Sequence, residues 1–117
     1  MILRQLKEEI CLKPITTITT NEETNVPANV ETTILTLSAT TDHKISRISV
    51  SGDDYAKIRL YIDTNLVETK RSGPERSVDF LFDSPLELNN TQVLDIKVLH
   101  CYTGVLSDFE ATVYSRI

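Results

Sequence analysis

The 117-residue chain contains no tryptophan and only three glycines, Gly52, Gly73 and Gly104. So few glycines exclude a glycine-rich loop of the kind that cradles phosphate. The motifs G-x-S-x-G and H-E-x-x-H, which mark common hydrolase sites, are also absent. The sequence therefore offers no recognisable catalytic set, and we expect a protein that is not an enzyme.

Basic charge and long apolar runs are lacking as well. Twelve Lys and Arg face 17 Asp and Glu, giving a formal charge of −5, whereas a phosphate-binding face usually needs a basic excess. No apolar run approaches the roughly 18–20 residues that span a bilayer. The charged N-terminus does not resemble a signal peptide. We therefore expect no nucleic-acid partner. A local basic patch at Lys70, Arg71 and Arg76 is the alternative to a solvated strand end and loop. We also expect no membrane association, and we expect the protein to be made in a cytoplasm.

The residues with potential for chemistry are few and scattered. Cys11 and Cys101 match no metal-binding spacing, so free thiols are expected in a reducing compartment, with a disulfide as the alternative. His43 lies in a polar segment and is predicted to be a solvated turn residue. His100 has inward strand parity and is predicted to be hydrogen-bonded at the rim of a core, with a catalytic or ligand role as the alternative.

Calcium is the metal that the acidic residues could hold. Asp53 and Asp54 with Asp63, or Asp83 with Asp108, could meet at one end of a β-sandwich, although calcium takes six to eight oxygen ligands. Aspartates in turns also cap the local backbone, which is the simpler interpretation. We therefore expect no metal and no other cofactor.

The sequence does contain segments in which apolar and polar residues strictly alternate. Residues 55–63 (YAKIRLYID) place apolar side chains at every second position, which only an extended strand sorts onto two faces. Similar segments separated by turn residues predict strands at 15–20, 30–39, 45–51, 55–63, 66–71, 77–82, 93–100 and 107–115. Residues 21–29 are predicted to be a connection, 63–65 a tight hairpin turn, 86–88 a brief extended piece, and 102–104 the turn of a last hairpin.

About eight short strands in one chain of this length predict an all-β fold. We expect a single two-sheet antiparallel β-sandwich, jelly-roll-like or immunoglobulin-like, over residues 14–117. Leu35, Leu37, Ile48 and Val50 are predicted to point inward. The remaining predicted core comprises Ala56, Ile58, Leu60, Ile62, Val78, Phe80, Phe82, Leu94, Ile96, Val98, Phe109, Ala111 and Val113.

Residues 1–13 differ from the rest of the chain. Leu3, Leu6 and Ile10 share one face of a short helix, which Pro14 would end, and an extended arm is the alternative. The apolar side either covers an edge of its own sandwich or docks on a neighbouring subunit.

The outward face of the central strand carries residue types that are common in interfaces. Tyr55, Lys57, Arg59 and Tyr61 lie on one side of the predicted strand, and Tyr114 is an outward ring on the last strand. An ordinary amphipathic face is the alternative interpretation.

Five segments resemble a known group of proteins. They are residues 26–33 (VPANVETT), 48–53 (ISVSGD), 56–63 (AKIRLYID), 78–80 (VDF) and 96–100 (IKVLH). Together they resemble small β-sandwich virion proteins encoded by tailed bacteriophages, over roughly residues 26–113. The resemblance implies a structural component of the head surface, neck or tail, and it transfers no active-site residue.

The resemblance and the residue-level interpretation agree on a working hypothesis. We expect a non-enzymatic structural or accessory virion protein that contacts other virion proteins and copies of itself. The alternative is a carbohydrate-binding module, which would need a concave aromatic and polar site for a glycan.

Overall fold

A computed structural model describes residues 17–53, 55–101 and 106–117. The predicted arm, with Leu3, Leu6 and Ile10, lies outside these residues, as do Cys11, Asp54 and the predicted turn at 102–104. The described chain forms eight strands: β1 (Thr17–Val26), β2 (Thr32–Ser38), β3 (His43–Ser51), β4 (Lys57–Ile62), β5 (Asn65–Arg71), β6 (Ser77–Leu88), β7 (Val93–Leu99) and β8 (Ser107–Arg116). No helix long and apolar enough to cross a membrane occurs within the described ranges.

The strands form two antiparallel sheets of four. The back sheet has the order β1-β8-β3-β6, and the front sheet has the order β2-β7-β4-β5. Every connection crosses from one sheet to the other except β4 to β5, which is a hairpin. This is the strand order of a jelly roll, the eight-stranded double-sheet architecture. The prediction of an all-β, two-sheet sandwich is therefore confirmed.

The core lies between the sheets and follows the alternation in the sequence. Of the residues predicted to point inward, all are buried except Leu37, Ile62 and Phe82, which are half-buried at its margin. Phe80 and Phe109 are the largest fully buried side chains. Gly52 has a close neighbour in this core, because a Cβ at position 52 would overlap the Phe109 ring.

Two edge strands, β1 and β6, extend further than predicted because edge strands tolerate polar residues and irregularities. β1 continues to Val26, through a segment predicted to be a loop. β6 runs without interruption to Leu88, and residues 82–85, including Pro85, bulge out opposite Ser46. Proline is tolerated there because β6 is an edge strand, whose outer N–H groups need no ladder partner.

The predicted last hairpin was also wrong. β7 pairs with β2 and β4 in the front sheet, whereas β8 pairs with β1 and β3 in the back sheet. Periodicity shows which residues of a strand face inward, but it carries no information on which sheet the strand joins.

Candidate functional site

Two outward residues of β4, Arg59 and Tyr61, are held by side chains of other segments. The Arg59 Nη1 atom donates a 2.6 Å hydrogen bond to Glu31 Oε2, within an ion pair whose side chains are less than one-third exposed. The Tyr61 hydroxyl donates to the same carboxylate at 3.2 Å. The Lys97 Nζ atom lies 4.9 Å from the centroid of the Tyr61 ring. Arg59 and Tyr61 are thus engaged within the front sheet.

The hydrogen bond from Glu31 also affects the charge of Arg59. That bond, with the nearby negative charge, raises the pKa of Arg59 above its ordinary value despite the opposing effect of burial. Arginine is protonated at all working pH values, so the pair persists across the physiological range. Solvent-screened ion pairs contribute little net stability, so the main effect of this one is to fix the orientation of Arg59.

One end of the front sheet contains a cavity of about 230 Å³. Lys57 of β4 lies directly opposite Arg71 of β5 and Leu99 of β7, so these three residues share the outer face. The described residues that line the cavity are Asn29, Tyr55, Lys57, Arg71, Leu99 and Cys101. The predicted site residues Tyr55 and Lys57 are therefore brought together here, apart from the Arg59–Tyr61 cluster.

The outer face of the back sheet carries a row of four side chains, which we call the back row. Cross-strand pairing joins Ile18 to Tyr114, Tyr114 to Arg47, and Arg47 to Leu81, in strands β1, β8, β3 and β6. Directly paired residues of an antiparallel sheet project from the same face. Ile18 is 62% exposed and Leu81 68% exposed, so the two ends of the row are apolar and open to solvent.

At the centre of the back row, Arg47 contacts a tyrosine ring and a carboxylate. The Arg47 Cζ atom lies 5.2 Å from the centroid of the Tyr114 ring. The Arg47 Nη2 atom donates a 3.1 Å hydrogen bond to Asp79 Oδ1. Burial would raise the pKa of Asp79, but the hydrogen bond from Ser49 and the charge and hydrogen bond of Arg47 outweigh burial and lower it.

The structure separates the predicted interface residues into three places. Tyr55 and Lys57 border the front cavity, and Arg59 and Tyr61 belong to the Glu31 cluster. Tyr114 lies on the opposite sheet, so it does not join the rings of β4. Sequence reasoning missed the open ends of the back row, although one signal was available: Ile18 and Leu81 are apolar residues at the outward parity of their strands.

The structure agrees with the prediction for one histidine and not for the other. His100 is fully buried, and its Nε2 atom lies 2.8 Å from the Val26 carbonyl oxygen, as the predicted hydrogen-bonded core position requires. The prediction for His43 was wrong. His43 is the first residue of β3, is 7% exposed and lies 3.2 Å from Ser115 Oγ through Nδ1, because β3 begins two residues earlier than predicted.

Three of the acidic residues considered for calcium accept hydrogen bonds from residues that are distant in sequence. Asp63 Oδ1 accepts a hydrogen bond from the Val93 amide, and Asp108 Oδ1 accepts one from the Asn25 amide. Asp53 accepts a hydrogen bond from the Ser107 hydroxyl. Among the residues that the structure describes, no group of three or more His, Cys, Asp or Glu is placed to hold a metal ion.

Comparisons of the chain with protein-family models, with curated proteins and with solved structures returned no match. The surfaces described above therefore carry the functional argument.

Proposed function

We propose that the protein is a non-enzymatic structural component of a tailed-phage particle that acts through protein–protein contacts of the back row. The observation that carries the proposal is the exposure of Ile18 and Leu81 in line with Tyr114 and Arg47. Tyrosine and arginine are enriched in interface hot spots, and apolar neighbours exclude water around them. The sequence resemblance to small virion proteins supports the same function.

The jelly-roll strand order is also compatible with the proposed virion function. Jelly rolls occur in viral capsid proteins and in lectins, so the architecture suits a virion component but also suits the carbohydrate-binding alternative. The Tyr61 and Tyr114 rings favour the virion component. Sugar stacking needs a free ring face, whereas Lys97 covers the Tyr61 ring and Arg47 covers the Tyr114 ring.

The size of the back face indicates how strong such a contact would be. Four strands about 4.8 Å apart and 9 to 12 residues long make a face of roughly 15 by 30–40 Å. That area is below the roughly 800 Å² per partner of a standard stable interface. We therefore propose a weak contact between copies of this chain, repeated many times in an assembly, where multivalency strengthens the whole.

Sedimentation velocity of the purified full chain over a wide concentration range tests the contact. We expect a reversible monomer–dimer equilibrium that Leu81→Lys weakens, because the substitution places a charge at an open end of the back row. Leu66→Lys is the matched control, since Leu66 is 56% exposed and belongs to the front sheet. A wild-type chain that stays monomeric at every concentration, or equal weakening by both variants, contradicts the proposed contact.

The predicted roles of the arm and of the β4 face in assembly stay predictions. Deletion of residues 1–13 removes no residue of the eight described strands, because β1 begins at Thr17. Arg59→Glu is a poor test of the front face, since it would place a second carboxylate against Glu31 and remove the ion pair.

A further inference from the structure

The front cavity is bordered by one lysine and one arginine. Lys57 and Arg71 are directly opposite each other across the β4–β5 ladder, an arrangement in which like charges destabilise a sheet. In the described part of the chain neither has an ion-pair partner, whereas Arg47 and Arg59 each pair with a carboxylate. None of the described residues that line the cavity is acidic, although the whole chain carries a net charge of −5.

The backbone on both sides of the cavity is held in an unusual conformation. Asn29 and Tyr55 have φ values of 60° and 56°, which non-glycine residues adopt at a cost of about 1 kcal/mol or more. Hydrogen bonds fix both residues: the Asn29 amide donates to the His100 carbonyl oxygen at 2.7 Å, and the Tyr55 amide donates to the Ser72 carbonyl oxygen at 2.9 Å. The cavity walls are thus preorganised before any ligand arrives.

Ser72 also holds the backbone on either side of Tyr55 in place. Its side chain is buried, accepts a hydrogen bond from the Ala56 amide at 2.9 Å and donates one to the Asp53 carbonyl oxygen at 2.7 Å. Asp53 and Ala56, which lie on either side of Tyr55 in the chain, are therefore tied to the residue that follows β5.

We propose that this cavity binds a phosphate group, either as the free ion or as the monoester of a small compound. A phosphate carries a charge of about −1.5 to −2 at pH 7, which matches one lysine and one arginine. The arginine guanidinium binds two phosphate oxygens through its planar fork, and the lysine ammonium supplies a compact charge. Leu99 and the half-exposed Tyr55 ring give an apolar and aromatic border for the organic part of a monoester. The proposal is independent of the back row.

The test is a titration of the full-length, isotope-labelled chain followed by the NMR amide shifts of Lys57, Arg71 and Cys101. Ribose 5-phosphate, inorganic phosphate and ribose are added separately at constant ionic strength. We expect saturable shifts with ribose 5-phosphate at about 1 mM, the affinity that typical ligand efficiencies give a compound of this size. Ribose should cause no shift. Equal binding by inorganic phosphate would support the free ion as the ligand, and tighter binding by the ester would support the monoester.

Matched variants separate a site from general charge attraction. Lys57→Gln and Arg71→Gln should each weaken binding at least about tenfold, because each removes one charge-assisted contact. Lys44→Gln removes an exposed lysine of β3 in the other sheet and should leave binding unchanged. Thermal melts confirm that all three variants are folded. Absence of saturation with both phosphates, equal binding of ribose, or equal weakening by Lys44→Gln would overturn the proposal.

Discussion

Phe80 shows how much of the stability depends on single inward residues. It is fully buried in β6, whereas Leu81, the next residue, is 68% exposed. We expect Phe80→Ala to lower the free energy of unfolding by about 3–5 kcal/mol, because it removes a buried ring and leaves a cavity. Urea denaturation measures the change. Leu81→Ala is the control and should cost less than about 0.5 kcal/mol. Similar losses for the two variants would contradict the assignment of inward and outward positions.

Asp79 makes the stability of the folded protein depend on pH. Its folded-state pKa is lowered, so the carboxylate contributes stability above its ordinary pKa of about 3.9, and this contribution is lost as the pH falls through the folded value. With a side chain 44% exposed, solvent screening limits the contribution to about 1 kcal/mol or less.

Asp79→Asn, which removes the titrating group, isolates this effect. Near pH 7 we expect the variant to be less stable than the wild type, and we expect the difference to shrink below about pH 4. Urea denaturation at a series of pH values provides the comparison. A difference that stays constant from neutral to acidic pH would show that the Arg47–Asp79 contact does not depend on the charge of Asp79.

Parity along each strand allowed the inward residues to be predicted, but the partners of outward residues were not predictable. The alternation in residues 56–62 identified Ile58 and Leu60 as core, and both are buried. The contact of Arg59 in β4 with Glu31, the residue before β2, joins segments far apart in sequence whose relative position the pattern does not specify.

At the scale of elements, the β4–β5 hairpin has an unusual turn. Asp63 and Thr64 have φ values of 49° and 69°, so both central residues are left-handed, as in a type I′ turn. This conformation is unfavourable for a β-branched residue such as Thr64.

Thr64→Gly should therefore stabilise the protein by about 0.5–1 kcal/mol, because glycine adopts this conformation without steric cost. The midpoint of urea unfolding should rise. Thr69→Gly, placed in the extended part of β5, is the control and should lower the midpoint. A destabilised Thr64→Gly variant would show that the threonine side chain makes a contact that outweighs its backbone strain.

Element boundaries were predictable where alternation is strong and not where an edge strand departs from it. β4 and β7 were predicted within two residues because they are central strands with continuous apolar alternation. β1 has polar residues at inward positions and β6 contains Pro85, so both resembled loops in part. The pairing of β7 and β8 in different sheets depends on the global topology, which a local pattern cannot encode.

At the scale of the whole molecule, the sandwich class followed from the number of strands, and the strand order came from the structure. Of the candidate sites, Tyr55 and Lys57 were predicted, but the cavity also needs Arg71, whose position opposite Lys57 depends on the hairpin register. The back row forms only because β1, β8, β3 and β6 are neighbours in this order. The sequence pattern does not specify that order, so the row could not be predicted, although Tyr114 was predicted to be an interface residue.

The most direct measurement of the central claim is the copy number of this chain in purified phage particles from the host that produces it, by quantitative mass spectrometry. We expect the wild-type chain to be present in many copies per particle. Leu81→Lys should lower this number, whereas the folded control Leu66→Lys should not. Particles that lack the wild-type chain, or that incorporate Leu81→Lys as fully as the wild type, would contradict the account.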